Sequence, residues 1–178
     1  EQGAHRLAHW LSALQRPFSL MNAAILVAAG KGTRMGSDVD KLWLKVAGRP
    51  VIAHTWQRFD HALSIGEIIL VVRDGMQIHF SELASTCYWQ KPFRIVVGGV
   101  ESQDSVCNGL AERPADTEIV AIQDAARPCT SEALINATID AARTIGAAVA
   151  SQPVTDTIKE SGDGKTISRT LERTRLWS

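Results

Sequence analysis

Gly30 and Gly32 stand two residues apart, Arg34 follows, and Lys41 comes soon after, all behind an apolar run that begins at Ala23. These residue types suit the holding of a chain of phosphates. Glycines at a strand's end let backbone N–H groups close on phosphate oxygens. A guanidinium and an ammonium supply the positive charge that a triphosphate needs. The segment fits neither familiar phosphate loop. No G-x-x-x-x-G-K-[ST] can be laid over it, and in a G-x-G-x-x-G frame the third glycine position is Met35, with Gly36 one residue late. A plain glycine-rich turn with surface cations is the competing reading.

Three other groups carry chemistry. Gly98-Gly99-Val100-Glu101-Ser102-Gln103-Asp104-Ser105 pairs two glycines with a serine-bearing helix start, which can receive a planar base through backbone and hydroxyl groups. A helix cap at Ser102 explains it equally. Gln123-Asp124-Ala125-Ala126-Arg127-Pro128 offers Asp124 as a Mg²⁺ ligand and Arg127 as a phosphate fork. An Asp–Arg ion pair that shapes a turn is the alternative. Thr155, Thr157 and Lys159, with Arg173 further on, can hold a second phosphate or simply be solvated.

The elements that must position these groups follow a strand, loop, helix rhythm. Ala23–Ala29, Ile68–Val72, Arg94–Val97, Ile119–Ile122 and Ala147–Ala150 read as strands. The first is apolar without alternation, as in a strand covered on both faces. Pro50–Leu63, Gln77–Ser85, Gln103–Glu112 and Ser131–Thr144 read as helices. The first carries a stripe of Ile52, Trp56, Phe59 and Leu63, the last one of Ile135, Ile139 and Ala142. This alternation predicts a doubly wound, mostly parallel α/β sheet. The loops bearing Gly30, Gly99 and Asp124 each follow a strand, so they converge at one sheet edge, where ligands bind in such folds. Asp156–Lys159 and Thr166–Leu171, around Gly162-Asp163-Gly164, read as a β-hairpin arm projecting from the sheet.

Residues 1–21 read as an N-terminal extension and 22–178 as one domain, with the arm at about 154–173. Leu7, Trp10, Leu11 and Leu14 share one helical face that Pro17 ends, and Met21 reads as a start. His5 and His9 lack a third ligand for a metal.

Composition narrows the function classes. The 178 residues are 45% hydrophobic and 21% charged, and 19 basic residues balance 19 acidic ones. That balance argues against a nucleic-acid partner and an anionic membrane. No apolar run approaches the ~18 residues of a membrane helix. Cys87, Cys107 and Cys129 are far apart and form no C-x-x-C, which fits a reducing cytoplasm.

From Ala23 to Trp177 the sequence resembles the 2-C-methyl-D-erythritol 4-phosphate cytidylyltransferase family of the non-mevalonate isoprenoid pathway. The resemblance rests on Ala-Ala-Gly-Lys-Gly-Thr-Arg-Met from Ala28 with Lys41, on Gly98-Gly99 with Gln103-Asp104-Ser105-Val106, on Asp-Ala-Ala-Arg-Pro from Asp124, and on Pro-Val-Thr-Asp-Thr-Ile-Lys from Pro153 followed by Arg173-Thr174-Arg175-Leu176-Trp177. It implies a Rossmann-like nucleotidyltransferase fold and CMP transfer from CTP to a sugar-alcohol phosphate. Gly30, Gly32, Arg34 and Lys41 would cradle the triphosphate, Arg34 and Lys41 acting on the transition state. Ala28, Gly99 and Ser105 would take the cytosine and ribose side, with Ala29 beside them in the nucleotide site. Asp124, Arg127, Thr157 and Arg173 would hold the methylerythritol phosphate. The family uses Mg²⁺, here expected on Asp124, and forms a homodimer clasped by the arm.

The sequence departs from the family pattern at several places. Asp40 stands where a proline usually precedes the lysine, Ser102 where an arginine is usual, and Gln123 where a histidine is common. The family also continues past the position of Ser178 with a Gln-Thr-Pro-Gln segment and a final strand–helix portion, so that portion is expected to lie outside this sequence.

In-line attack of a phosphate oxygen on the α-phosphorus of CTP needs no protein nucleophile. Catalysis would be positioning and charge stabilisation by Arg34, Lys41, Arg127 and Mg²⁺. A nicotinamide-dependent oxidoreductase is disfavoured by the displaced third glycine and by the absence of an acid about 20 residues on, at the end of the next strand. A ribitol 5-phosphate cytidylyltransferase and a non-catalytic nucleotide-binding module are the remaining alternatives.

Overall fold

The computed structural model describes residues 21–30 and 40–178. The helix expected around Leu7–Leu14, and the residues from Lys31 to Val39, lie outside the described residues. The strands are β1 Met21–Ala28, β2 Lys45–Val46, β3 Arg49–Pro50, β4 Glu67–Val72, β5 Phe93–Val97, β6 Thr117–Asp124, β7 Lys159–Glu160 and β8 Arg169–Thr170. The helices, in chain order, are α1 Val51–His61, α2 Gln77–Thr86, α3 Ser102–Ala111 and α4 Glu132–Ile145.

β5, β4, β1 and β6 form one parallel sheet in that order. The chain moves outward from β1 to β4 to β5, then returns to the far side of β1 for β6. Crossovers in such sheets are right-handed, so reversing the direction of travel moves the crossover helix to the opposite face. Accordingly α1 and α2 pack on one face, while α3 alone crosses the other. Both faces of β1 and β4 are therefore covered, which explains their unalternating apolar runs.

The larger core joins Ala24, Leu26, Ile68, Leu70 and Val72 to Ile52, Trp56 and Phe59 of α1, Phe80 of α2, and Ile135 and Ile139 of α4. Trp56 is the largest buried side chain and stacks on Trp89 at 4.0 Å, with Phe93 edge-on at 4.9 Å. The opposite face is smaller, built from Ala23, Ile25, Ile69 and Val71 with Leu110 of α3 against them. α3 comes close because Gly109 has no side chain. A Cβ there would stand 2.8 Å from Val71 and 3.0 Å from Ile25.

Several boundaries differ from the sequence reading. α1 ends at His61, and Leu63 falls outside its stripe, almost fully exposed. α3 begins one residue earlier than expected. Ser102 lies inside it, Glu101 is its cap residue, and the Asp104 carboxylate accepts the Glu101 N–H at 3.0 Å. Ser131 caps α4, its hydroxyl accepting the Leu134 N–H, and Gly146 ends it at φ +98°.

The expected fifth strand is corrected. Ala147–Ala150 is exposed and forms no strand. A strand exists only through a ladder partner, and alanine packs weakly on a pleated surface. Four small residues without a neighbouring strand have nothing to hold them extended.

The arm is present as a short antiparallel ladder, Lys159 opposite Thr170 and Glu160 opposite Arg169. Its root is closed by the Pro153–Trp177 bridge, where Gln152 and Ser178 exchange both backbone hydrogen bonds. Among the described residues, no helix is long and apolar enough to cross a membrane.

Candidate functional site

The carboxyl ends of β1, β4 and β5 surround an open cavity of about 640 Å³. Ala29 and Gly30 enter it from β1, Arg73 and Asp74 from β4, and Gly98 and Gly99 from β5. The start of α3 closes one side with Ser102 and Ser105. The register explains this convergence. Ala28 pairs with Val72 and Val72 with Val97, so the next residue on each strand, Ala29, Arg73 and Gly98, emerges on one line.

The glycine pair of the β5 loop is required by close approach, since neither glycine has a positive φ. A Cβ on Gly98 would stand 2.6 Å from the Ala29 Cβ and 2.7 Å from the Ser105 Oγ, and one on Gly99 would stand 2.2 Å from the Asp104 Cβ. The loop thus rests directly on α3 and on β1's end. Ser105 lies one turn before Gly109 on the buried side of α3. Its hydroxyl oxygen accepts the Gly99 N–H at 3.1 Å and its proton goes to the Glu101 carbonyl at 3.2 Å. Ser105 therefore shapes the loop first, and only its remaining lone pair is open to a ligand. Gly30 differs. Among the described residues nothing lies within 4 Å of where its Cβ would be, so the space beside it is open.

Lys41 is displayed by a turn pinned from several directions. The Asp40 carboxylate accepts the Leu42 N–H at 3.1 Å, and the Asp40 carbonyl accepts the Trp43 N–H at 3.0 Å. Leu42 is buried in the core, and its carbonyl accepts the Ile52 N–H of α1. The second Asp40 oxygen takes a hydrogen bond from Arg73 at 2.8 Å. Gly32 and Arg34 lie outside the described residues.

Asp124 ends β6 opposite Val27 of β1, at the point where the strand order reverses. Ala125 behind it is fully buried. Its N–H donates to the Val27 carbonyl at 3.1 Å, and its carbonyl accepts the Thr55 hydroxyl at 2.8 Å. Asp124 Oδ1 accepts the Ala126 N–H at 3.1 Å, and Oδ2 lies 3.6 Å from Arg127 Nε. This is the turn-shaping pair that the sequence allowed as the alternative. Both side chains remain well exposed.

Among the described residues no three His, Cys, Asp or Glu side chains cluster as a metal cage. One exposed carboxylate at this sheet edge is nevertheless a donor of the kind that suits Mg²⁺, which takes one or two carboxylates and fills its shell with phosphate oxygens and water.

The structure does not bring all the candidates together. Ala29, Gly30, Gly99 and Ser105 line the cavity, and Ala28 is buried beneath it in β1. Lys41, Asp124 and Arg127 lie outside its wall, on loops of the same sheet edge. Thr157 and Arg173 sit on the exposed arm, where Arg173 Nη1 donates to the Thr155 carbonyl at 2.8 Å. Arg73 and Asp74 were not expected from the sequence. The loop after β4 carries a single glycine, Gly75 at φ +81°, and its place at the end of a central parallel strand could have marked it.

The comparisons with known proteins bear on the fold and the family. The family model described as 2-C-methyl-D-erythritol 4-phosphate cytidylyltransferase matches residues 22–178. A protein of that name from Alkaliphilus oremlandii is 42% identical over 88% of this chain and 66% of its own length. One from Caldanaerobacter subterraneus is 41% identical over 88% of this chain and 69% of its own length. The chain thus spans about two thirds of the length of the curated relatives it matches. The crystal structure of 4-diphosphocytidyl-2C-methyl-D-erythritol synthase from Anaerococcus prevotii superposes with a TM-score of 0.78 at 28% identity, covering 90% of this chain and 68% of that one. The Thermus thermophilus cytidylyltransferase gives 0.63 at 25% identity, covering 89% and 67%. On the sheet order, the cavity loops and these matches together, the chain belongs to the 2-C-methyl-D-erythritol 4-phosphate cytidylyltransferase family.

Proposed function

We propose that the protein transfers CMP from CTP to 2-C-methyl-D-erythritol 4-phosphate and releases pyrophosphate. The observation that carries this reading is the convergence of Gly30, Gly99 and Ser105 on one cavity at the carboxyl edge of the sheet. Its volume lies within the range that small-ligand pockets occupy. The acceptor is the one that the relatives are named for.

In this mechanism the loop that begins at Gly30 grips the phosphates through backbone N–H groups. Arg34 and Lys41 would stabilise the α-phosphate, where negative charge grows as the acceptor oxygen attacks in line. Two phosphorylated substrates repel each other, and Arg34, Lys41 and Arg127 offset that repulsion. Asp124 would hold Mg²⁺, which supplies further charge neutralisation when bound. Thr157 and Arg173 hold the acceptor phosphate. They reach it from a second copy of the chain, because the arm is exposed from Lys159 to Thr170 and two-stranded hairpins are marginal alone. A reducing cytoplasm suits the protein, whose Cys87, Cys107 and Cys129 are all free thiols.

The test is pyrophosphate release by the full-length protein with CTP, Mg²⁺ and a panel of polyol phosphates. Methylerythritol phosphate should be turned over fastest. Faster turnover of ribitol 5-phosphate would reassign the acceptor, and CTP binding without any turnover would leave a nucleotide-binding module.

A further inference from the structure

Arg73 was not among the residues expected to bind substrate, yet it occupies the middle of the site. β4 lies between β5 and β1, so the residue that leaves it emerges between Gly98 and Ala29. Among the described residues that line the cavity, Arg73 is the sole cation, and Asp74 and Glu101 are acidic. Asp74 and Glu101 repel a triphosphate there, and a guanidinium facing it offsets that repulsion.

Arg73 is also held in place. Its Nη2 donates to Asp40 Oδ2 at 2.8 Å, with both side chains about a quarter to a third exposed. A guanidinium carries five N–H donors. Among the described residues the Asp40 bond is the one side-chain hydrogen bond of Arg73, and none of them takes up the other donors of its fork. The other Asp40 oxygen accepts the Leu42 N–H and folds the turn that displays Lys41. One carboxylate thus fixes two cations from different loops: Arg73 by an ion pair and Lys41 through its backbone.

We propose that Arg73 binds the phosphate chain of the nucleotide and that Asp40 is the positioning residue that sets Arg73 and the Lys41 turn at a fixed separation. Asp40 stands where the family usually has proline, and a proline could make neither bond. The inference rests on the CTP-binding reading above and names a contact within it.

The experiment compares CTP and cytidine binding to the full-length protein by calorimetry, for wild type, Arg73→Ala, Arg73→Lys and Asp40→Asn. Wild type that binds no CTP would remove the functional reading and this contact with it. If wild type binds CTP, Arg73→Ala should weaken CTP by about ten- to a hundred-fold, as expected for a lost hydrogen bond to a charged group, and leave cytidine unchanged. Arg73→Lys keeps the charge but loses the fork and should fall between. It preserves the comparison should the alanine variant fail to fold. Equal losses for CTP and cytidine would show that Arg73 only shapes the pocket, and no loss for CTP would show no contact. Either overturns the proposal. Asp40→Asn should weaken CTP binding in wild type and have a much smaller effect in the Arg73→Ala background. Additive effects would overturn the positioning role of Asp40.

Discussion

The Thr55 hydroxyl on α1 donates to the Ala125 carbonyl at 2.8 Å, with both residues fully buried. This bond fastens the loop behind Asp124 to the core helix, and the Ala125 N–H fastens the same loop to β1. Thr55→Val removes the donor and leaves a buried carbonyl short of its partner, at a cost of about 1–3 kcal/mol. Urea unfolding should show a lower midpoint at unchanged slope. In the full-length enzyme the Michaelis constant for the acceptor should rise as the Asp124 loop loosens. An unchanged midpoint would show that another group satisfies the Ala125 carbonyl.

The glycines of the cavity divide by cause. Gly98→Ala and Gly99→Ala force a Cβ into Ala29, Ser105 or Asp104 and should destabilise the fold by about 1–3 kcal/mol, the usual cost of overpacking. Gly30→Ala meets none of the described residues within 4 Å, so its melting temperature should stay near wild type. Its CTP affinity should fall, because the new methyl group occupies ligand space. Thermal melting with and without CTP separates the two classes. A stable Gly99→Ala protein with normal CTP binding would refute the close-approach account.

Much of the sheet was legible because burial leaves a direct trace in sequence. Ala24–Leu26 and Ile68–Val72 are apolar at every position since helices cover both faces, and β1 and β4 appear where those runs do. Ala147–Ala150 carries the same trace without the structure, because composition reports burial potential while a strand needs a partner. The cavity was legible where glycines follow strands, at Gly30 and Gly98-Gly99, which all line it. Arg73 was invisible for the opposite reason. An arginine after a strand is ordinary, and its place depends on β4 lying at the centre of the sheet, a fact of pairing across distant segments.

The arm's turn should respond to acid. The Asp163 carboxylate accepts the Thr166 N–H and hydroxyl, the Lys165 N–H and the Ser161 hydroxyl. These bonds, led by the Thr166 N–H, hold its pKa well below the usual carboxylate value. A lowered folded-state pKa means that the stabilisation is complete above the unfolded value of about 4 and is lost as pH falls below it. Amide exchange at Lys165 and Thr166 should therefore quicken below about pH 4, and Asp163→Asn should show fast exchange already at neutral pH. Exchange that ignores pH beyond its intrinsic dependence would show that the turn holds without the carboxylate.

Lys41 stands on a turn fixed by Asp40, Leu42 and Trp43, so Lys41→Ala should leave that turn intact and remove only charge. With the Gly30 loop still holding the phosphates, turnover should fall about 10²–10³-fold, the usual loss for one transition-state donor. CTP affinity should change far less. Collapse of CTP affinity with normal turnover at saturation would make Lys41 a ground-state anchor instead.

The arm bears on whether one chain holds a whole site. Its strands pair at only two positions, its residues from Lys159 to Thr170 are all exposed, and Ile167 and Trp177 present apolar surface to solvent. Such a hairpin is marginal in water and gains stability by resting on another surface. A second copy would supply one, and two-fold symmetry would make every contact of the arm count twice. In the single chain, Arg173 spends one donor on the Thr155 carbonyl, which fixes its stem at the arm's root and leaves the rest of the guanidinium for an acceptor phosphate. If that phosphate lies in the neighbouring copy, Arg173→Ala and Arg34→Ala damage different halves of a shared site. Each full-length variant alone should be nearly inactive. Mixed and re-equilibrated, they form heterodimers in which one site carries both lesions and the other carries neither, so activity should return to about a quarter of the wild-type value when association is random. Heterodimers confirmed by a different affinity tag on each variant but without recovered activity would place Arg173 in the site of its own chain.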